Sequence, residues 1–379
     1  MIDDSFLASV RRRSFRAVVA GLGAFLSACL VVAAPASTLA ATSGEAPPKA
    51  WTAAPRDLGR LTNHDIGLVI NTLDPYSVAV GDYYIQARKL EPDQVLRVEL
   101  PVRAKLTPEE FQPLADSIQQ YFGPQIQALA LAWALPYGVG CNSLNGALAL
   151  GYDPGLCANT CGRSRTSQYF NSSTARPFTN LQMRPSMLIA AVNVDSAKKL
   201  IDRGVASDDR LGYPGAPTAQ AYYLSTNDAP RNVRARLFPP AGRVPSIGVD
   251  VHVEKTNFIQ HVDDVLLYMT GRVSVEKLDT IGWLPGALAD HLTSTGGQLD
   301  GSSGQMVATA WIESGATASY GTVTEPCNHV QKFPHPQLLL LHYAQGVTAL
   351  EAYWKSVAWP QQGVFVGEPL AAPFRRPTQ

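Results

Sequence analysis

Asp290, His291, Thr293 and Ser294 place four reactive or hydrogen-bonding side chains within five residues of this 379-residue chain. The apolar spacing before them reads as a helix ending at about Ser294. On a helix His291 and Ser294, three apart, share a face. That makes Ser294 a candidate nucleophile and His291 its candidate base. Asp290 supplies the third residue type of a Ser/His/Asp set, but adjacent helical residues point in different directions, so this spacing does not orient the base. Helix capping and core hydrogen bonds account for the same residues without catalysis.

Cys327 is the third catalytic candidate, as one half of a Cys/His pair with His329, His335 or His342. A disulfide or a buried thiol suits it equally. Glu325 and Glu368 each follow an apolar strand and precede a proline. Parallel strands end at one rim of a sheet, where α/β proteins build their sites. If both strands run the same way, the two carboxylates come near His291 for acid–base work, or else bind loop amides. Asp290, Thr293, Glu325 and Glu368 are thus the candidate binding residues. Cys157 and Cys161 have a ligand-like spacing, but no second Cys or His pair matches it, so neither a metal nor a cofactor is expected.

The elements that must position these groups alternate. Strands are expected at Ile66–Asn71, Val95–Leu100, Ile126–Leu135, Met187–Val194, Gln220–Ser225, Val265–Met269, Ala316–Tyr320 and Val364–Val366. Gly248–Glu254 alternates like a strand at a sheet edge. Helices are expected at Val78–Arg88, Thr107–Tyr121 with a capping box from Thr107 to Glu110, Ser196–Arg203, Gln305–Ser314, Gln337–Gln345 and Ala349–Val357. The alternation predicts an α/β fold with a mainly parallel, doubly wound sheet. It spans 61–374 as a single domain, with a loop-rich, cystine-bearing insertion at 136–184. Arg231, Arg234 and Arg236 read as a solvated basic face.

Charged residues make up 16% of the chain and the formal net charge is zero, which argues against a nucleic-acid partner. Arg11, Arg12, Arg13 and Arg16 precede an apolar run from Ala17 to about Ala34, the layout of a signal peptide over 1–41. Arg12-Arg13-Ser14-Phe15 fits the twin-arginine pattern. Leu26-Ser27-Ala28-Cys29 resembles a lipobox, but the apolar run continues past it. Residues 42–60 read as a flexible leader. No later stretch reaches the roughly 18 apolar residues that span a bilayer. The expected setting is periplasmic or extracellular, where disulfides form. With Cys29 removed, Cys141, Cys157, Cys161 and Cys327 allow three full pairings. A bridge from Cys141 to Cys157 or Cys161 is the simplest.

Two resemblances follow from longer stretches. GATASYGTVTEPC, KFPHP, EAYWKSVAWP and GVFVGEPLAAPF, with IGLVINTLDPYSVAVGDYYIQAR, resemble an uncharacterised exported family of bacteria that carry the exosortase sorting system. That resemblance implies an envelope setting and exosortase-pathway surface proteins as partners. The chain shows no Pro-Glu-Pro tail, so it does not resemble the cargo. More distantly, the succession of a strand to Thr270-Gly271, the Thr293-Ser294 loop, the Gly315-Ala316 strand and Gly367-Glu368-Pro369 is similar to gingipain-type peptidases. This implies a caspase-like sheet. Those enzymes place a His after one strand and a Cys after the next. Here the matching positions are Thr270 or Gly271 and Thr293 or Ser294, so the dyad is absent.

Overall fold

Residues 50–375 are described by a computed structural model. The expected signal peptide, with Cys29, and residues 42–49 lie outside the described residues. The segment 50–60 has no regular structure, yet it is anchored and not a free leader. Leu58 N donates to Ser173 O (2.9 Å). Asp57 accepts from Lys355 Nζ (2.5 Å) and lies 2.8 Å from His342 Nδ1.

The apolar run Ile66–Asn71 forms β1, buried along its whole length. Pro75 at the first helical position and the Asp74 cap start α1 (Pro75–Arg88). After β2 (Val95–Val98) and the short β3 (Lys105–Leu106), α2 (Pro108–Tyr121) begins on the expected capping box. Glu110 N donates to Thr107 Oγ1 (3.3 Å), and Thr107 N donates back to the Glu110 carboxylate (2.9 Å). β4 (Ala128–Leu131) occupies the middle of the long apolar run and is buried throughout.

The insertion is more ordered than its composition indicates. β5 (Gly138–Val139) pairs with β3 on one side and with β6 (Asn142–Ser143) on the other, in a small second sheet. Three short helices follow, α3 (Leu144–Leu150), α4 (Gly155–Ala158) and α5 (Pro177–Leu181). Asn145 ties α3 to the main sheet, donating to Ser186 Oγ (2.9 Å) and accepting from Phe365 N (3.3 Å).

The chain then supplies β7 (Ser186–Leu188), α6 (Val194–Ser207), β8 (Ala219–Leu224), β9 (Gly242–Val244), β10 (Val249–Glu254) and β11 (Val262–Thr270). β12 (Ile281–His291), α7 (Thr309–Ser314), β13 (Ala318–Thr322), α8 (Pro336–Ala344), α9 (Ala349–Ser356) and β14 (Gly363–Gly367) complete it. Two expectations change here. β10 is not at the sheet edge, because β9 pairs outside it. The run ending at His291 is a strand, not a helix. It lies between β11 and β13, with Gly286 to His291 fully buried. Pro285 within it removes a donor that a helix interior needs. Gly286, at φ 88°, absorbs the irregularity. Its N–H is satisfied by Thr317 Oγ1 (2.9 Å) and its carbonyl by the Tyr343 hydroxyl (2.7 Å).

Among the described residues eleven strands form one sheet, in the order β2-β1-β4-β7-β14-β13-β12-β11-β8-β10-β9. The fold is therefore α/β, and both halves of the chain share one sheet. β2, β1, β4, β7 and β14 are mutually parallel. So are β13, β12, β11, β8 and β10. The two blocks meet at β13 and β14, which are antiparallel. Two helices, α8 and α9, joined by a short loop, connect those strands. One crossover helix returns the chain to its starting end and gives a parallel partner. Two antiparallel helices leave it where β13 ended, so β14 runs back. The sheet consequently has no single carboxyl-end rim, and the expected convergence of Glu368 with His291 fails on strand direction.

Candidate functional site

The carboxyl ends of β11, β12 and β13 bring together Thr270, Asp290, His291, Thr293, Ser294 and Thr322. Successive strand residues point to opposite faces. Asp290 and His291 therefore separate, which the helical reading did not foresee.

His291 points to α7 and is 1% exposed. Trp311 Nε1, which only donates, lies 2.9 Å from His291 Nδ1. Nδ1 must then be the bare acceptor and Nε2 must carry the proton. Nε2–H donates to Met306 O (3.0 Å). Burial lowers the imidazole pKa to about 4; the Met306 carbonyl opposes this and the Arg234 and Arg231 cations add to it. Both ring nitrogens are thus committed, and no lone pair is left to accept a proton from Ser294. The Ser294 hydroxyl is half-buried and has no hydrogen-bond partner among the described residues. Its carbonyl accepts from Thr322 Oγ1 (2.9 Å).

Asp290 is 1% exposed and forms a two-pronged ion pair with Arg234, at 3.1 and 2.5 Å. Burial raises its pKa against the pull of that guanidinium. Arg234 also donates to Thr270 O (2.9 Å) and Pro334 O (3.3 Å). Thr293 Oγ1 donates to Gln305 Oε1 (2.6 Å) and accepts from Arg231 Nε (3.2 Å). The expected solvated basic face is therefore corrected for two of its three members. Arg234 is 2% exposed, the Arg231 side chain is about a quarter exposed, and both plug the strand ends. These were the residues that sequence reasoning missed. Nothing local in Arg231–Arg236 separates a plug from a solvated run.

The position after β11 is closed in a further way. A Cβ on Gly271 would lie 1.9 Å from Arg231 O, so Gly271 has room only for hydrogen. Beside the plug, at the carboxyl ends of β8 and β10, a cavity of about 420 Å3 is lined by Ser225, Thr226, Asn227, Lys255, Thr256 and Asn257.

The remaining candidates make no hydrogen bond or ion pair with the side chains of this cluster, although Glu325 follows β13 at the same end of the sheet. Cys327 is bonded to Cys161 and Cys141 to Cys157, which selects one of the three pairings. A cystine sulfur carries no thiolate, so Cys327 is not a nucleophile in this state. Glu325 Oε1 accepts from Cys327 N (2.7 Å), as a loop acceptor. Glu368, fully buried, accepts from Arg88 Nε (2.8 Å) and NH2 (2.5 Å) at the amino end of β13. His335 caps α8. His342 bridges Asp57 and Asn171, and His329 packs against Trp359. Among the described residues no group of three or more His, Cys, Asp or Glu side chains is arranged to hold a metal.

The two disulfides fit an exported protein folding in an oxidising compartment. Among the described residues no helix is long and apolar enough to cross a membrane. Comparison with protein-family models, with curated proteins and with solved structures finds no match to this chain.

Proposed function

We propose that this chain is an exported envelope protein with a caspase-like body that works by recognition, without cysteine-peptidase chemistry, alongside exosortase-dependent surface proteins. The order β10-β8-β11-β12-β13-β14, parallel except for β14, supports the caspase-like reading. In that arrangement the reactive His and Cys belong after β11 and β12. One observation carries the non-peptidase reading: these positions hold Thr270-Gly271 and Thr293-Ser294, and the first is sealed by the Arg231 carbonyl. The cavity at Ser225–Asn227 and Lys255–Asn257 offers the Ser225 hydroxyl, the Asn227 amide and the Lys255 ammonium to a polar chain segment, while the Thr226 and Thr256 hydroxyls already donate to backbone carbonyls. Hydrolysis by Ser294 draws no support from the geometry, since His291 is fully hydrogen-bonded elsewhere.

Two experiments test this. Serine- and cysteine-directed activity probes on the purified protein should give no labelling that Ser294→Ala or Cys327→Ala removes. Labelling lost in Ser294→Ala would restore the hydrolase reading. A photo-crosslinker at Lys255 should capture surface proteins bearing exosortase tails, and one at Asp116 on α2 should not. Equal capture at both positions defeats the recognition cleft.

A further inference from the structure

A second cavity, of about 460 Å3, opens between the segment entering β1, the end of α1, the end of α6 and the chain after β14. That volume suits a small ligand. Its wall carries Arg60, His64, Arg88, Lys89 and Arg375 against one carboxylate, Asp208. Two of the guanidinium groups are already matched. Arg88 pairs with Glu368 and, at 2.8 Å, with Asp208. Arg375 Nε donates to Asp209 (2.8 Å). The side chains of Arg60 and Lys89 make no hydrogen bond or salt bridge among the described residues. Burial, and then the like charge of Arg375, lower the pKa of Arg60, against the opposing pull of Asp209, Glu351 and Asp208, none of which touches it. A half-buried guanidinium crowded by a second cation, with no counter-charge in contact, is an arrangement that a bound anion relieves.

We propose that this cavity binds the phosphate group of a small polar molecule through Arg60 and Lys89. Two cationic side chains with no carboxylate in direct contact match a phosphate dianion, and a guanidinium matches its oxygens in pairs. The Arg88–Glu368 and Arg375–Asp209 pairs hold the back wall in place before the ligand arrives. The cavity exceeds a bare phosphate, and the Asn63 side-chain amide in its wall suits the hydroxyls of a phosphorylated sugar. The site shares no residue with the cleft beside Arg231, so the two proposals stand or fall separately.

The test is calorimetric titration of the full chain, at low ionic strength, with glucose 6-phosphate, inorganic phosphate and glucose. Saturable binding of glucose 6-phosphate is expected, with none of glucose. Arg60→Gln and Lys89→Asn should each weaken it by about tenfold or more, the loss of one charge-assisted contact. Asn suits the left-handed position that Lys89 holds at the end of α1 (φ 54°), so that variant keeps the cap. Circular dichroism checks that both variants fold. Inorganic phosphate binding as tightly as the sugar phosphate would assign the site to the free anion, with the same chemistry. The absence of saturable binding of either phosphate overturns the proposal, as does undiminished binding in a folded Arg60→Gln variant.

Discussion

Because His291 is a core residue held neutral, acid should destabilise this protein through it. The folded-state pKa is about 4, set by burial first, while an unfolded histidine titrates near 6.5. Between those values only the unfolded chain takes up the proton. Stability is therefore intact above about pH 6.5, falls as pH drops from there, and levels off below about pH 4. At about 1.4 kcal/mol per pH unit, the limit is about 3 kcal/mol, and about 2 kcal/mol is lost by pH 5. His291→Gln is the informative variant. Its amide oxygen can accept from Trp311 and its amide nitrogen can donate to Met306, without a titrating group. Urea unfolding of both proteins at pH 7 and pH 5, with unchanged m-values, gives the comparison. The other histidines contribute alike to both and cancel in the difference. The wild type should lose about 2 kcal/mol more than the variant between these pH values. Equal losses would refute the argument, and so would a His291 resonance that titrates near 6.5.

Three more outcomes follow from the same structure. Asp290→Ala should cost about 3–5 kcal/mol, because it strands the buried Arg234 charge. The double change Arg234→Met with Asp290→Leu should recover most of that, as read by thermal unfolding. Asp57→Ala should be comparably harmful, since Lys355 is fully buried beside it. It should also speed proteolysis within 50–60. Cys161→Ser should lower stability by up to about 5 kcal/mol by the chain-entropy estimate, because its bridge spans 166 residues. Chemical denaturation checks that value, and a loss under about 1 kcal/mol would deny the bridge a structural role.

Local pattern carried much of this architecture. Thr107-Pro108-Glu109-Glu110 specified both the start and the cap of α2, because every group in a capping box lies within four residues. Ile66–Asn71 and Ala349–Ser356 announced themselves by apolar density and by spacing. The four cysteines implied disulfides, though not their partners, since Cys161 and Cys327 meet only in the folded chain.

What folding decided was everything that depends on a neighbour distant in sequence. The apolar run before His291 fits a helix or a fully buried strand by composition, and pairing with β11 on one side and β13 on the other makes it a strand. That one change turned Asp290 and His291 to opposite faces, toward Arg234 and Trp311. The direction of β14 rested on two connecting helices, and it carried Glu368 away to Arg88. Arg234 is buried because Asp290 lies at the end of a strand 56 residues further on. Hydrophobic spacing records which residues leave water, whereas strand direction, pairing and the partner of a buried charge are set by contacts that exist only once the chain has closed on itself.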